Sequence, residues 1–347
     1  MAEIVTFGCR LNAYESEVLK EKLKNVDNLI VINTCAVTGE AERQCRQAIR
    51  KLRRENPQAK IVVTGCSAQV SGSKLATMPE VDLVLGNKEK KEIEKHIALL
   101  TTYVDNKQLV SDIDKDSACD DFMITGFEGR HKAFLQIQQG CNHRCTYCII
   151  PFARGHNRSV PLPLIIKQIK ELLAKGFKEI CLTGVDICSY EPSFSGVVKN
   201  ILEQVPELQC LQFGSLDPAA IDDDFIELVN KFKNIHPYFH FSIQSGDNLI
   251  LKRMGRRHSR ETVIELCKKI RNIRPESTFG ADFICGFPTE SVEAFENTCK
   301  LVEEAGLSKL HVFPYSEREG TPAARMPQLP MEERRRRAAV LRELSKE

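Results

Sequence analysis

Cys141-Asn-His-Arg-Cys145-Thr-Tyr-Cys148 sets three thiols on one short stretch at CxxxCxxC spacing. The thiolate is the metal-binding form of cysteine. Three on one loop can hold three irons of a 4Fe-4S cube and leave the fourth iron open to an outside ligand. The competing chemistry is a structural zinc with His143 or His156 as fourth ligand, although structural zinc loops more often use CxxC pairs. A second set of thiols is dispersed. Cys9, Cys35 and Cys66 each close an apolar run: IVTFGC, LIVINTC and IVVTGC. Successive strands of a parallel sheet end on the same edge, where ligands of open α/β sheets gather. These three thiols are therefore expected to converge. Cys45, inside the helical pattern AERQCRQAIR, reads as structural, and Cys181, Cys210 and Cys299 read as small buried hydrophobes.

The elements that must position these groups alternate. Strands are expected over 4–7, 29–32, 60–64 and 81–85, with helices over 12–24 and 40–55, which implies right-handed crossovers and a mostly parallel sheet. Residues 88–131 are acid-rich and weakly periodic, and read as a helix and a connection. A second alternating series begins near residue 133, with strands over 133–138, 179–183, 211–215, 238–243, 279–284 and 309–313. Helical patterns lie between them, and six such units suit a partial parallel barrel with its functional groups at the C-terminal strand ends. The fold class is thus α/β: a Rossmann-like parallel-sheet domain over 1–87, a connection over 88–130, a partial TIM barrel over 131–330 and a basic helix over 331–347.

Composition narrows the class. The chain has 347 residues, fourteen cysteines and a net charge of +2. Such a chain without an export signal argues against a disulfide framework and for reduced thiols in the cytoplasm. No apolar run approaches the length of a membrane span. Near-neutral charge makes any RNA contact a matter of local patches.

The CxxxCxxC triplet resembles the signature of radical S-adenosylmethionine (SAM) enzymes. With GCRLNAYES, NTCAVTGEAE, GCSAQ, GCNHRCTYCIIPFARG, LTGV, SIQSG, KRMGRRHS, GFPTE and HVFPYSEREGTPAA, nearly the whole chain resembles the methylthiotransferase family of those enzymes. The resemblance implies two 4Fe-4S clusters: a radical cluster on Cys141, Cys145 and Cys148, and an auxiliary, sulfur-delivering cluster on Cys9, Cys35 and Cys66. It implies two SAM molecules per turnover, one donating a methyl group and one generating the radical that abstracts hydrogen from carbon. A low-potential electron donor such as flavodoxin or ferredoxin is a further implied partner, while the sulfur donor stays unassigned. An aromatic C–H is too weak an acid for a side-chain base, so no general acid or base is nominated.

Around that site, Tyr147 matches the aromatic that the family sets against adenine, and Thr183-Gly184 the small turn beside the SAM amino group. Ser215, Gln244 and Asp282 end later strands and are expected to hydrogen-bond SAM; Gly286 is expected to let the backbone pass close to adenine. Arg154 and Arg158, with Arg256 and Arg257, are candidate tRNA phosphate contacts, a solvated patch being the alternative. Arg334–Arg337 read as a solvated helix face. NTCAVTGEAERQCRQAIR is most like the bacterial threonylcarbamoyladenosine branch, acting at position 37 of tRNA. An isopentenyladenosine or ribosomal-aspartate substrate is the alternative within the family, and a non-catalytic iron–sulfur or zinc protein the alternative outside it. The sequence departs from the family pattern at Thr289, where glycine is common, and at Asp186 and Cys188. Family members continue into a small RNA-gripping β-barrel, the TRAM domain, which is expected to be absent here after LRELSKE.

Overall fold

The computed structural model describes residues 1–100, 107–115, 124, 126–127 and 131–345, so much of the connection expected over 88–130 lies outside the described residues. Two compact units are resolved. The first comprises Met1–Asn142, Ile149–Phe177 and Thr183–Val185, the second His143–Cys148, Lys178–Leu182 and Asp186–Glu347.

In the first unit the chain runs β1 (Glu3–Thr6), α1 (Arg10–Lys22), β2 (Leu29–Thr34), α2 (Gly39–Glu55), β3 (Lys60–Gly65), α3 (Cys66–Ala76), β4 (Leu83–Leu85), α4 (Ile93–Leu99) and β5 (Gln108–Leu109). The strands form one parallel sheet in the order β1-β2-β3-β4-β5. Every residue of β2 is buried, the mark of a strand covered on both faces. Ile30, Ile32, Ile61 and Val63 meet Ile49 of α2 and Ala68 and Leu75 of α3 on one face. Leu29, Val31 and Val62 meet Leu19 of α1 and Ile93 of α4 on the other. Each such aliphatic side chain contributes about 1.5–3 kcal/mol when fully buried. The helix α3 was not expected: its small and polar residues, CSAQVSGSKLA, give almost no apolar stripe, yet it makes Cys66 a helix N-terminal residue. The unit continues through β6 (Lys132–Gln136), β7 (Gln138–Gln139), α5 (Ile150–Arg154), β8 (Arg158–Ser159) and α6 (Leu162–Ala174).

The second half of the chain supplies β9 (Glu179–Thr183), α7 (Phe194–Gln204), β10 (Cys210–Phe213), β11 (Ser215–Leu216), α8 (Asp223–Lys231), β12 (Tyr238–Gln244), α9 (Asn248–Met254), α10 (Arg260–Ile273), β13 (Thr278–Cys285), α11 (Val292–Glu304), β14 (Leu307–Pro314) and α12 (Met331–Glu343). β9 and β10 pair in parallel, as do the strands of the sheet β11-β12-β13-β14. Alternation is clear there: Phe239, Phe241, Phe279, Ala281 and Phe283 are buried, and the intervening His240, Ser242 and Asp282 share the opposite face.

The solvated face expected over Arg334–Arg337 holds for Arg335 and Arg336, which are exposed, and fails for the other two. Arg334 and Arg337 are not solvated; they are 3% and 4% exposed. α12 packs on β13 and β14. Arg337 donates to Glu290 at 2.7 Å, and Arg334 donates to the carbonyls of Leu329 at 2.9 Å and Tyr315 at 3.2 Å. Their long stems cover apolar surface while every carbonyl and carboxylate they reach satisfies the guanidinium. Gly286 lies against the Arg334 side chain and donates its N–H to Glu290 at 2.8 Å, so the GFPTE turn is fastened to α12.

The backbone at Thr289 accounts for the glycine of the family pattern, not for the threonine found here. The residue stands at φ +70°, a left-handed conformation that is costly for a β-branched residue and free for glycine. We expect Thr289→Gly to raise stability by about 1 kcal/mol, net of the 2.7 Å bond that Thr289 Oγ1 accepts from Arg253. Denaturant midpoints measure this; a midpoint at or below that of the parent protein refutes it.

Candidate functional site: two thiol groups and their buried charges

Cys9 precedes α1, Cys35 follows β2 and Cys66 opens α3, all at the carboxyl edge of the first sheet. Two glycines make this possible. Gly8 and Gly65 sit at φ +99° and +95°, reversing the chain immediately before Cys9 and Cys66. A Cβ on Gly65 would fall 2.5 Å from the Thr34 carbonyl, and one on Gly8 would fall 2.9 Å from Cys35 Sγ. The turns are tied by polar groups. Asn12 donates to the carbonyls of Phe7 at 2.7 Å and Thr34 at 3.0 Å, while Thr34 Oγ1 donates to the Thr64 carbonyl at 2.6 Å. Burial pushes the Cys35 thiol up to about 12, and Cys66, then Cys9 and Cys45, push in the same direction. Protons on these thiols must therefore be displaced by a cation or offset by positive charge. Cys45 is 1% exposed within α2, as its helical pattern implied. The donor set at this edge is all sulfur, which fits a soft iron–sulfur centre.

The positive charge is Arg154. It is 3% exposed. Its Nε–H donates to Cys66 Sγ at 3.1 Å. Its two terminal nitrogens donate to the Glu15 carboxylate, one of them at 3.0 Å, and Nη2 also reaches Asn12 Oδ1 at 2.7 Å. Glu15 in turn pairs with Lys90 Nζ at 2.7 Å, and Lys90 donates to Asn87 at 2.9 Å. Burial opposes the charge of Arg154, but Cys66, Glu15 and Cys9 outweigh it and hold the guanidinium charged. Arg154 is thus removed from the RNA contacts: its donors are spent on thiol and carboxylate inside the first unit. Glu15 and Lys90 were not singled out from the sequence. The available signal was Asn12, Glu15 and Ser16 interrupting the buried stripe Leu11, Tyr14, Val18, Leu19 of α1.

In the CxxxCxxC loop, Cys141 belongs to the first unit and donates its N–H to the Gly155 carbonyl at 3.0 Å. Cys145 and Cys148 belong to the second, where Cys148 N–H closes a turn on the Cys145 carbonyl at 3.0 Å. Thr146 anchors this turn to the end of α9: its N–H donates to Met254 O at 2.9 Å and its hydroxyl to Arg253 O at 2.8 Å. Arg256, just beyond α9, donates to Cys145 Sγ at 3.7 Å, to Ser242 O at 2.6 Å and to Asp217 at 3.2 Å. Its side chain is 8% exposed, so Arg256 also leaves the RNA set. Asp217 additionally accepts from Arg257 at 2.8 Å and has His258 at 3.7 Å. Burial opposes the carboxylate, yet His258, Arg256 and Arg257 hold it well below the usual range. Arg257 keeps a side chain 46% exposed, and Arg158 is half-buried. His143 Nε2 lies 3.0 Å from Asp186, and His156 Nδ1 lies 3.2 Å from Asn142.

Tyr147 packs among Phe287, Tyr315 and Met254. Thr183 is buried at the end of β9, and its carbonyl accepts from Ile137 N–H at 2.9 Å; Gly184 follows it. Asp282 accepts from Ser215 at 2.9 Å and has His240 Nε2 at 3.0 Å and His311 Nδ1 at 3.3 Å. Burial opposes its charge, and the two imidazoles with Ser215 overcome it, holding the carboxyl well below its usual range. His240 and His311 both lie on Oδ1, while Oδ2 takes Ser215 alone and keeps acceptor capacity. Gln244 ends β12 at φ +82°, next to a register shift, a strained placement for a non-glycine residue.

Comparison with known proteins gives the class first. Residues 135–302 match the Radical SAM superfamily, and residues 1–86 match Uncharacterized protein family UPF0004. A solved structure, the radical SAM methyltransferase TsrM from Kitasatospora setae, superposes with a TM-score of 0.63 at 13% identity, covering 91% of this chain and 67% of that one. The α/β architecture, a Rossmann-like parallel-sheet domain followed by a partial barrel, is that of a radical SAM protein. Threonylcarbamoyladenosine tRNA methylthiotransferase MtaB of Rickettsia prowazekii (strain Madrid E) is 53% identical over 98% of this chain and 82% of that protein. Its namesake in Aquifex aeolicus (strain VF5) is 38% identical over 98% and 86% respectively. The chain belongs to the threonylcarbamoyladenosine tRNA methylthiotransferase family.

Proposed function

We propose that this chain converts N6-threonylcarbamoyladenosine at position 37 of tRNA into its 2-methylthio derivative. The observation that carries the reading is the gathering of Cys9, Cys35 and Cys66 at one sheet edge, far in sequence from the CxxxCxxC loop, in a chain of this family. Residues 1–87 handle sulfur and 131–330 bind SAM, joined by 88–130 and followed by the basic helix 331–347. Cys141, Cys145 and Cys148 hold one 4Fe-4S cluster; Cys9, Cys35 and Cys66 hold the other. When bound, the clusters and two SAM molecules per turnover supply the electron, methyl group, sulfur and one-electron route that an aromatic C–H requires.

The chain's own residues orient and insulate. The packing of Tyr147 against Phe287 and Tyr315 holds its ring for stacking on adenine. Thr183 and Gly184 receive the SAM amino group; Ser215, Gln244 and Asp282 receive its ribose and amino-acid parts, with His240 and His311 keeping Asp282 ionised. Arg256 donates to the Cys145 sulfur. Arg158 and Arg257 retain exposed surface for tRNA phosphate. A low-potential flavodoxin or ferredoxin delivers electrons in the cytoplasm; among the described residues no helix is long and apolar enough to cross a membrane.

Nucleoside mass analysis tests the substrate. In a strain lacking the gene, the methylthio-threonylcarbamoyl base is expected to vanish and its unmethylthiolated precursor to accumulate, with the methylthio-isopentenyl base unchanged. Persistence of the first base overturns the assignment.

A further inference from the structure

Burying an arginine, a glutamate and a lysine together is expensive, because each ion loses several kcal/mol of hydration that pairing only partly restores. Arg154, Glu15 and Lys90 are nevertheless 3–6% exposed. The trio does not neutralise itself: two cations meet one carboxylate, which leaves one positive charge in excess. A structural ion pair needs no third member. The surplus is aimed, since Arg154 sets both terminal nitrogens on Glu15, with further bonds to Asn12 at 2.7 Å and Gln139 at 3.4 Å, and turns Nε–H onto Cys66 Sγ at 3.1 Å. Lys90 lies behind Glu15, with its ammonium on the carboxylate oxygen at 2.7 Å and on Asn87 at 2.9 Å. Asn87 is itself fixed to the Ala153 carbonyl at 2.8 Å, one residue before Arg154. The network therefore closes on itself and holds Arg154 from both sides.

We infer that Arg154, Glu15 and Lys90 form a charge relay that sets the reduction potential of the iron–sulfur centre on Cys9, Cys35 and Cys66, with Arg154 as the positioning residue. The inference rests on the cluster assignment proposed above. A cube on three thiolates carries net negative charge, and a buried site favours the less negative oxidised level unless cations offset it. Nearby charge and hydrogen bonds to cluster sulfur are the levers by which proteins raise cluster potential. Glu15 works against Arg154 by partly cancelling its charge, and Lys90 works for it by cancelling Glu15. The three residues thus have opposite, separable signs, which a merely structural role would not produce.

The test uses the full chain, anaerobically reconstituted, with iron and sulfide counted and the potential followed by electron paramagnetic resonance. The centre of interest is the reduced-cluster signal that SAM does not alter. Arg154→Gln and Lys90→Gln are expected to make that centre harder to reduce, and Glu15→Gln to make it easier. The Arg154→Gln shift should be at least roughly tenfold in the reduction equilibrium, the scale of a unit charge a few ångströms away in a protein interior, and the Lys90→Gln and Glu15→Gln shifts smaller but of the stated signs. Should Arg154→Gln lose the cluster or fail to fold, Lys90→Gln and Glu15→Gln touch no thiol and still report. Unmoved potentials, or shifts of one sign in both of these variants, overturn the inference. A parent protein with half the expected iron and no SAM-insensitive signal instead overturns the cluster assignment beneath it.

Discussion

Replacing Cys9, Cys35 and Cys66 together with alanine should halve the iron of the reconstituted protein, from about eight atoms per chain to about four, and leave SAM cleavage intact. The two thiol groups share no ligand. Cys9, Cys35 and Cys66 are held by the first sheet and by the turns at Gly8 and Gly65, whereas Cys145 and Cys148 are held by Thr146 against the end of α9. On the proposed assignment, losing one set should remove its cube without unseating the other. The fold should survive: the exchange deletes one sulfur at each position and the aliphatic layers of the sheet are untouched. Iron and labile sulfide counts, together with 5′-deoxyadenosine formed under dithionite, report both halves. Methylthiolation of tRNA should be lost altogether. A triple variant that keeps its full iron, or that stops cleaving SAM, would show that the thiols do not form two independent sites.

Asp217→Asn carries the second large effect, a loss of about 3–5 kcal/mol. The carboxylate is 4% exposed and takes Arg256 at 3.2 Å and Arg257 at 2.8 Å. An amide keeps the shape but leaves the buried Arg256 without its counter-ion. The sign of the pH dependence follows from the depressed carboxyl. Its stabilisation is fully present above the unfolded-state value near ~3.9 and is lost as pH falls through the lower folded-state value. The gap between parent and variant should therefore be constant near neutrality and narrow only in acid, which denaturant melts at several pH values measure. Because Arg256 also donates to Cys145 Sγ, the variant should bind the CxxxCxxC iron less firmly. A stability gap that persists undiminished in acid would place the effect outside this ion pair.

Arg154 and Arg256 show how the charges divide. Both looked like RNA contacts because an arginine after a cysteine-rich or KRMG stretch is indistinguishable, in sequence, from one on a basic surface. In the fold each is buried, each is gripped by a carboxylate and each donates to a cysteine sulfur. Glu15 stands 139 positions from Arg154 and Asp217 stands 39 from Arg256, so no local pattern joins them. The same holds for Arg334 and Arg337, whose run of four arginines reads as solvent-facing until α12 is laid on β13 and β14.

What the residues alone determined were the features carried by a short motif or by a shared strand direction. The CxxxCxxC loop is one such feature, because three ligands on one turn need no fold to bring them near. The apolar runs ending at Cys9, Cys35 and Cys66 are another, because strands of a parallel sheet share a direction and so must end on a common edge. Only the tertiary structure decided which charges lose their water. Burial depends on what a distant segment lays over a side chain, and the cost of an ion is set by that covering and by its partner, neither of which the neighbouring residues encode.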